Sequence, residues 1–286
     1  MSSSQIYEQH YRRLDTSIPL RGQRWVPIAR EGLKSLFALR AFFGLIIIAW
    51  IPILVRLAQV YFITRFPEAR RVVPIDDKFF LDSMTFDIPP LLLMSAFAGA
   101  GLVANDMRTG GLLLYLSRPL TLVDYILGKF MIVFAALSTV TLVPGLVLFF
   151  GARSLAPEIL GDTAHLLLIP KIVGFGLVLV LPAAGLVLAM SALARSARFA
   201  GLGFFFVVMG SSLAQVIAWG ATRSRYSGLI SIQACMRRVG EAIFDVKPTR
   251  MIANLPAEYA LAALTVLFLW CLFVLKTRIR AVEIVK

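Results

Sequence analysis

The chain has 286 residues, 59% of them hydrophobic, and a formal net charge of +13, with a mean hydropathy of +0.82. Those values exclude an ordinary soluble domain and point to a membrane protein. The positive charge gathers at the ends of apolar runs and never interleaves with aromatics as a base-stacking platform requires, so anionic lipid is the expected partner and nucleic acid is not.

Residues 1–40 form a polar, basic arm without the short apolar core of a secretory signal, and the arm is expected to stay in the cytoplasm. Within it, "WVPIAREGLKSLFALR" sets Ala29, Leu33, Leu36 and Phe37 on one helical stripe and Arg30, Glu31 and Lys34 on the other side. That spacing predicts an amphipathic helix lying in the membrane interface, with Arg40 marking the turn into the bilayer.

Six apolar windows reach the length of about 17–25 residues that crossing a bilayer takes. They cover approximately 41–63, 88–104, 130–150, 172–193, 199–219 and 259–275, within a transmembrane domain of 41–275, and a basic tail follows at 276–286. The expected fold is therefore an all-α membrane protein with six transmembrane helices. An even number of spans leaves both termini on one side, and the more numerous Lys and Arg there place that side in the cytoplasm of a plasma (inner) membrane. Arg56, inside the first span, is expected to snorkel outward beside Tyr61, with pairing to a substrate as the alternative. The following loop holds Asp76, Asp77, Asp82 and Asp87, which read as a solvated acidic loop sooner than as a divalent-cation site. Pro144 and Pro182 can kink their helices, and Gly99, Gly101, Gly174, Gly176 and Gly185 allow close helix approach. Ser138, Thr139 and Thr141 in the third span, with Ser211, Ser212 and Gln215 in the fifth, suit hydrogen bonds between helices.

The spans carry no acidic residue and no histidine, which argues against a transporter driven by protons or sodium. Carboxylates are confined to connections, so no acid–base pair converges at depth and a membrane enzyme is disfavoured. His10 and His165 stand alone, and Cys235 and Cys271 lie in a connection and a span, so neither a metal site nor a disulfide is expected. The only Gly-Lys pair, Gly128-Lys129, has Val123 where a phosphate loop needs its first glycine and Phe130 where it needs a hydroxyl, which leaves no cofactor expected in this chain.

Between the second and third spans runs "NDMRTGGLLLYLSRPLTLVDYILGK", whose apolar centre is too short to cross a bilayer and too greasy for a solvated loop. Gly110-Gly111 permits a sharp departure from the second span, Pro119 interrupts any helix, and Thr121-Leu-Val-Asp124 resembles a capping box. Leu112, Leu113, Tyr115 and Leu116 make an apolar anchor flanked by Arg108 and Arg118, the residue types that dominate protein interfaces.

This run resembles the signature of permease subunits of type-2 ABC transporters: an acidic residue closing the second span, a Gly and a Leu-rich run ending in Ser-x-Pro, and Tyr-x-x-x-Lys opening the third. Asp106, Gly111, Ser117, Arg118, Pro119, Tyr125 and Lys129 carry the match, and the six-span layout with its amphipathic N-terminal helix and basic tail extends it over essentially the whole chain. The chain departs from the pattern at Asp106, where Glu is common, and at Thr121-Leu122-Val123, where a second basic residue is frequent. The resemblance implies a non-catalytic exporter subunit that pairs with a second permease, identical or homologous, and with two copies of a separate ATPase. ATP and magnesium would be bound by that partner. The run itself would be a cytoplasmic coupling helix, with Asp106, Arg108, Gly111, Leu113, Tyr115, Ser117, Arg118, Pro119, Tyr125 and Lys129 as coupling residues. The alternatives are a six-helix scaffold that assembles a membrane complex without transport and, less favoured, a membrane enzyme acting on lipid.

Overall fold

A computed structural model describes residues 23–66, 74–111, 121–224, 226–249, 252 and 255–284. Among the described residues all regular structure is helical, and six stretches are long and apolar enough to span a membrane: Arg40–Arg65, Asp77–Arg108, Leu122–Leu155, His165–Leu193, Ala197–Thr222 and Ala257–Ile279. The protein is an all-α, multi-pass membrane protein. In chain order its helices are α1 (Trp25–Phe37), α2 (Arg40–Arg65), α3 (Asp77–Phe86), α4 (Ile88–Gly99), α5 (Ala104–Arg108), α6 (Leu122–Ser138), α7 (Leu142–Leu155), α8 (Pro157–Leu160), α9 (Leu168–Leu193), α10 (Ala197–Thr222), α11 (Ile232–Ile243) and α12 (Ala257–Ile284).

The helices outrun the apolar windows, and at two of them a side-chain cap marks the earlier start. The second span begins at Asp77 because the Asp76 carboxylate accepts the Phe79 N–H at 3.0 Å, an N-cap that starts the helix eleven residues before the apolar run. The third begins at Leu122, where Thr121 and Asp124 form the expected capping box, the Thr121 hydroxyl accepting from Asp124 N at 3.2 Å and the Asp124 carboxylate accepting from Thr121 N at 3.1 Å. The sixth helix continues through Lys276 to Ile284, so most of the basic tail is an extension of that helix.

The fourth span is the hub. It is apolar all round, 72% of its most hydrophobic window is buried, and it packs against every other span except the first. Its small residues permit this: Gly185 meets Phe268 of α12, and a Cβ on Gly99 of α4 would lie within 3.0 Å of Val187. The first and fifth spans are the opposite case, with 17% of the corresponding window buried, and they form the rim of the bundle. Pro182 lies inside α9 without ending it, whereas Pro144 stands one turn after the break at 139–141 that divides the third span into α6 and α7. Trp50 of the first span donates its indole N–H to the Thr139 carbonyl at that break, at 3.0 Å.

Hydroxyls at depth divide into two groups. Ser138, Thr139 and Thr141 bond back to carbonyls of their own helix at 2.7–2.9 Å, the usual satisfaction of a helical hydroxyl, and do not bridge helices as their type had suggested. Ser212 does bridge, lying 3.1 Å from both the Ser231 hydroxyl and Gln233 Oε1 at the start of α11. That helix is strongly amphipathic and lies at the end of the bundle opposite the N-terminal helix; here this is termed the far end, and the end carrying α1 and α5 the near end.

At the far end the four aspartates point to four different surroundings and do not form one loop cluster. Asp76 caps α3, Asp77 pairs with Lys171, which also lies 3.6 Å from Asp245, and Asp82 lies 4.0 Å from Arg237. Asp87 sits at the joint between α3 and α4, wholly buried, with neither carboxyl oxygen meeting a hydrogen-bonding group of the protein. Arg56 does not snorkel beside Tyr61 either. Its guanidinium stacks over the Phe79 ring of α3 at 5.1 Å and donates to Gln59 at 3.2 Å, while Arg65 covers Tyr61. The capping of α3 is what brings Phe79 to that position.

Candidate functional site

The candidate site is at the near end, where the second span closes and the third opens. Span two breaks at Ala100–Val103 and resumes as the single turn Ala104–Arg108. A break at that depth frees backbone donors that must find acceptors. Ser191 of α9 supplies one: its Oγ accepts from Val103 N at 3.1 Å and Ala104 N at 3.0 Å, and its own hydroxyl donates to the Ala100 carbonyl at 2.7 Å. Ser191 is fully buried and thus fixes the angle at which α5 leaves the hub helix. The sequence reading passed over it; its signal was a lone hydroxyl two residues before the end of a long apolar helix.

The short turn α5 presents Asp106 to the third span. There Tyr125 and Lys129, one helical turn apart on α6, share a face, and both converge on one carboxylate oxygen: the Tyr125 hydroxyl donates to Asp106 Oδ2 at 2.8 Å and the Lys129 ammonium lies 2.8 Å from the same atom. The Lys129 ammonium also lies 5.6 Å from the Tyr125 ring centre. Tyr125 is fully buried, and the ionic side chains of Lys129 and Asp106 are 8% and 20% exposed. A lysine withdrawn this far from water requires a matching charge, and Asp106 provides it from a different span. The pattern Asp…Tyr-x-x-x-Lys is therefore a clamp across two helices.

The N-terminal helix backs this clamp. Ala29 and Leu36 of α1 are buried, and the helix crosses α6 beside Gly128, the neighbour of Lys129; a Cβ there would stand 2.9 Å from Ile28 and 3.2 Å from the Trp25 carbonyl. The apolar stripe read from the sequence is thus turned at least in part onto the third span. Lys34 and Glu31 on the opposite face pair with each other at 2.8 Å in the open, and that hydrogen bond holds the Glu31 carboxyl below the usual carboxylate range.

The ends of the connecting segment are likewise built for a defined departure. Gly110 has a φ of 71°, a left-handed conformation that glycine adopts without strain, directly after α5. Exposed Arg108 precedes it and half-buried Gly111 follows, while the capping box at Thr121 sets the point of return. Leu113, Tyr115, Ser117, Arg118 and Pro119 lie outside the described residues. Of the sequence-predicted coupling residues, then, the structure brings Asp106, Tyr125 and Lys129 together, and places Arg108 and Gly111 at the edge of the group. No family model matches this chain, and no characterised protein does.

Proposed function

We propose that the chain is the permease subunit of an ATP-driven exporter, receiving force from a separate ATPase through the segment between its second and third spans. The observation that carries this reading is the Asp106–Tyr125–Lys129 clamp, which ties the two ends of that segment together in a buried, charge-paired joint. A loop that only connects two helices has no need of such a joint. A segment that must transmit a push to both helices does, because a load on its apolar centre then moves the end of span two and the start of span three as one body. Ser191 extends the path to the hub helix, and α1 braces it from the side.

In this reading the near end faces the cytoplasm of a plasma membrane, and both termini lie on that side. Two ATPase copies engage two permease chains, identical or homologous, which meet through their rim spans. ATP and magnesium belong to the ATPase. The permease contributes shape and mechanical coupling and no catalytic group.

Purification from the native membrane tests the reading. An ATPase is expected to co-purify, and Arg118→Glu with Tyr115→Ala is expected to abolish that association while the chain still inserts. Undiminished ATPase binding in the double variant would refute the docking role. Reconstituted vesicles separate transport from assembly: ATP-dependent movement of a solute or lipid supports the permease, and a stable complex without movement supports a scaffold.

A further inference from the structure

Near the far end, a cavity of about 590 Å3 opens between the first span, the α3–α4 joint and α11. Two guanidinium groups from opposite ends of the chain line it, Arg56 on α2 and Arg237 on α11, with Asp82 as the single carboxylate. The remaining wall is Thr85 and the apolar Phe86, Pro89 and Pro90, with Phe86 65% exposed on the outside of the bundle. The lining therefore carries net positive charge at one side and hydrocarbon at the other.

The fold neutralises the two arginines to different degrees. Arg56 has the uncharged Gln59 and the face of Phe79 as its partners. Arg237 stands 4.0 Å from Asp82, the outer limit of an ion pair, and 3.4 Å from Glu241. Glu241 Oε1 also accepts from Thr249 N at 3.1 Å and the Thr249 hydroxyl at 2.7 Å, neutral donors that leave its pairing with Arg237 in place, so Arg56 is the guanidinium without a carboxylate partner among the described residues. Arg56 is nine residues from the end of α2, roughly 14 Å along the axis at 1.5 Å per residue, in a helix apolar enough to span. A cation at that depth is costly unless an anion meets it.

We propose that this cavity is a binding site for one anionic phospholipid, the phosphate held between Arg56 and Arg237 and an acyl chain lying along Phe86, Pro89 and Pro90. Planar guanidinium groups donate in pairs to phosphate oxygens, and two of them converging from separate helices make a fork for one headgroup. A lipid fits better than a free anion because the cavity wall is continuous with an exposed aromatic side chain, Phe86, on the outer surface of the bundle. Bound there, the lipid would join the first span, one of the least buried in the bundle, to α3 and α11. The site depends on nothing in the ATPase reading and stands or falls separately from it.

The experiment measures thermal unfolding of the detergent-purified full chain with added phosphatidylglycerol, phosphatidylcholine or inorganic phosphate, and counts retained lipids by native mass spectrometry. Phosphatidylglycerol is expected to raise the midpoint and one copy to remain bound, with no comparable effect of the other two. Arg56→Gln with Arg237→Gln should weaken that response at least tenfold. Arg195→Gln with Arg198→Gln, which removes two exposed charges from the near end, should retain it. Should the glutamine pair fail to fold, Arg56→Lys with Arg237→Lys keeps the charge and loses the fork, and a weakened but still charge-selective response is expected. An unchanged response in the arginine variants, equal protection by phosphatidylcholine, or equal protection by inorganic phosphate would each overturn the proposal, the last by assigning the site to a soluble anion.

Discussion

Replacing Asp106 removes two interactions at once, since one oxygen receives both the Tyr125 hydroxyl and the Lys129 ammonium at 2.8 Å. With side-chain exposures of 8% and 20% the pair is mostly out of water, so the heavy screening that reduces surface ion pairs applies only weakly. Hydrogen bonds to charged groups contribute about 1.5–3 kcal/mol each, and removing one member of a buried pair costs about 3–5 kcal/mol. Asp106→Ala is accordingly expected to destabilise the chain by about 3–5 kcal/mol. Lys129→Met, which keeps the apolar stem and loses the charge, should cost less, because Asp106 retains Tyr125. The informative quantity is the coupling: in a double-mutant cycle the two changes together should cost about 2 kcal/mol less than their sum. The assay is reversible unfolding in mixed micelles, monitored by far-UV circular dichroism, for the wild type, both single variants and the double. Additivity within about 0.5 kcal/mol would refute the clamp as an energetic unit. Unaltered stability in Asp106→Ala would refute it altogether.

Ser191→Ala leaves the Val103 and Ala104 N–H groups without their acceptor in buried surroundings, and a loss of about 2 kcal/mol is expected by the same unfolding measurement, with faster amide exchange over residues 103–108. Asp87→Leu should do the reverse, raising stability by about 1–3 kcal/mol, because it removes a buried carboxyl whose oxygens meet no protein donor; a destabilised variant would contradict that account. The thiol of Cys235, buried in α11 outside the spans, is pushed up to about 11 from 9.0 by its desolvation. Because the unfolded chain ionises first, its contribution is fully present below pH 9 and is lost as pH rises from about 9 to 11, by about 2–3 kcal/mol at most. Cys235→Ala should flatten that alkaline decline, and iodoacetamide should label native Cys235 far more slowly than the unfolded chain.

Local chemistry accounts for what could be read without coordinates. Six apolar runs of spanning length, the capping box at Thr121, the glycine departure at Gly110 and the stripe of α1 all depend on residues within a few positions of one another, so the sequence contains the whole cause. The grouping of Asp106, Tyr125 and Lys129 was legible as a pattern, but composition alone could not say that one oxygen would hold both partners. Arg56 was misplaced for a definite reason: snorkelling toward the headgroups is the cheapest fate for an isolated arginine, and only the cap on α3 brings Phe79 within reach to compete with it. The four far-end aspartates looked like one loop because they are close in sequence, yet a helix rotates successive carboxylates about its axis and delivers each to a different neighbour.

Length and hydropathy by themselves determined that this protein crosses a membrane six times, because the cost of leaving about 20 apolar residues in water, or an unpaired backbone in lipid, is paid segment by segment. Which faces of those segments meet was decided only by the tertiary structure. A helix that is apolar all round, as α9 is, carries no periodic stripe to announce its contacts, so the role of Ser191 at the break in span two and the placing of Arg56 and Arg237 on the wall of one cavity follow from close packing of complete helices and from nothing shorter.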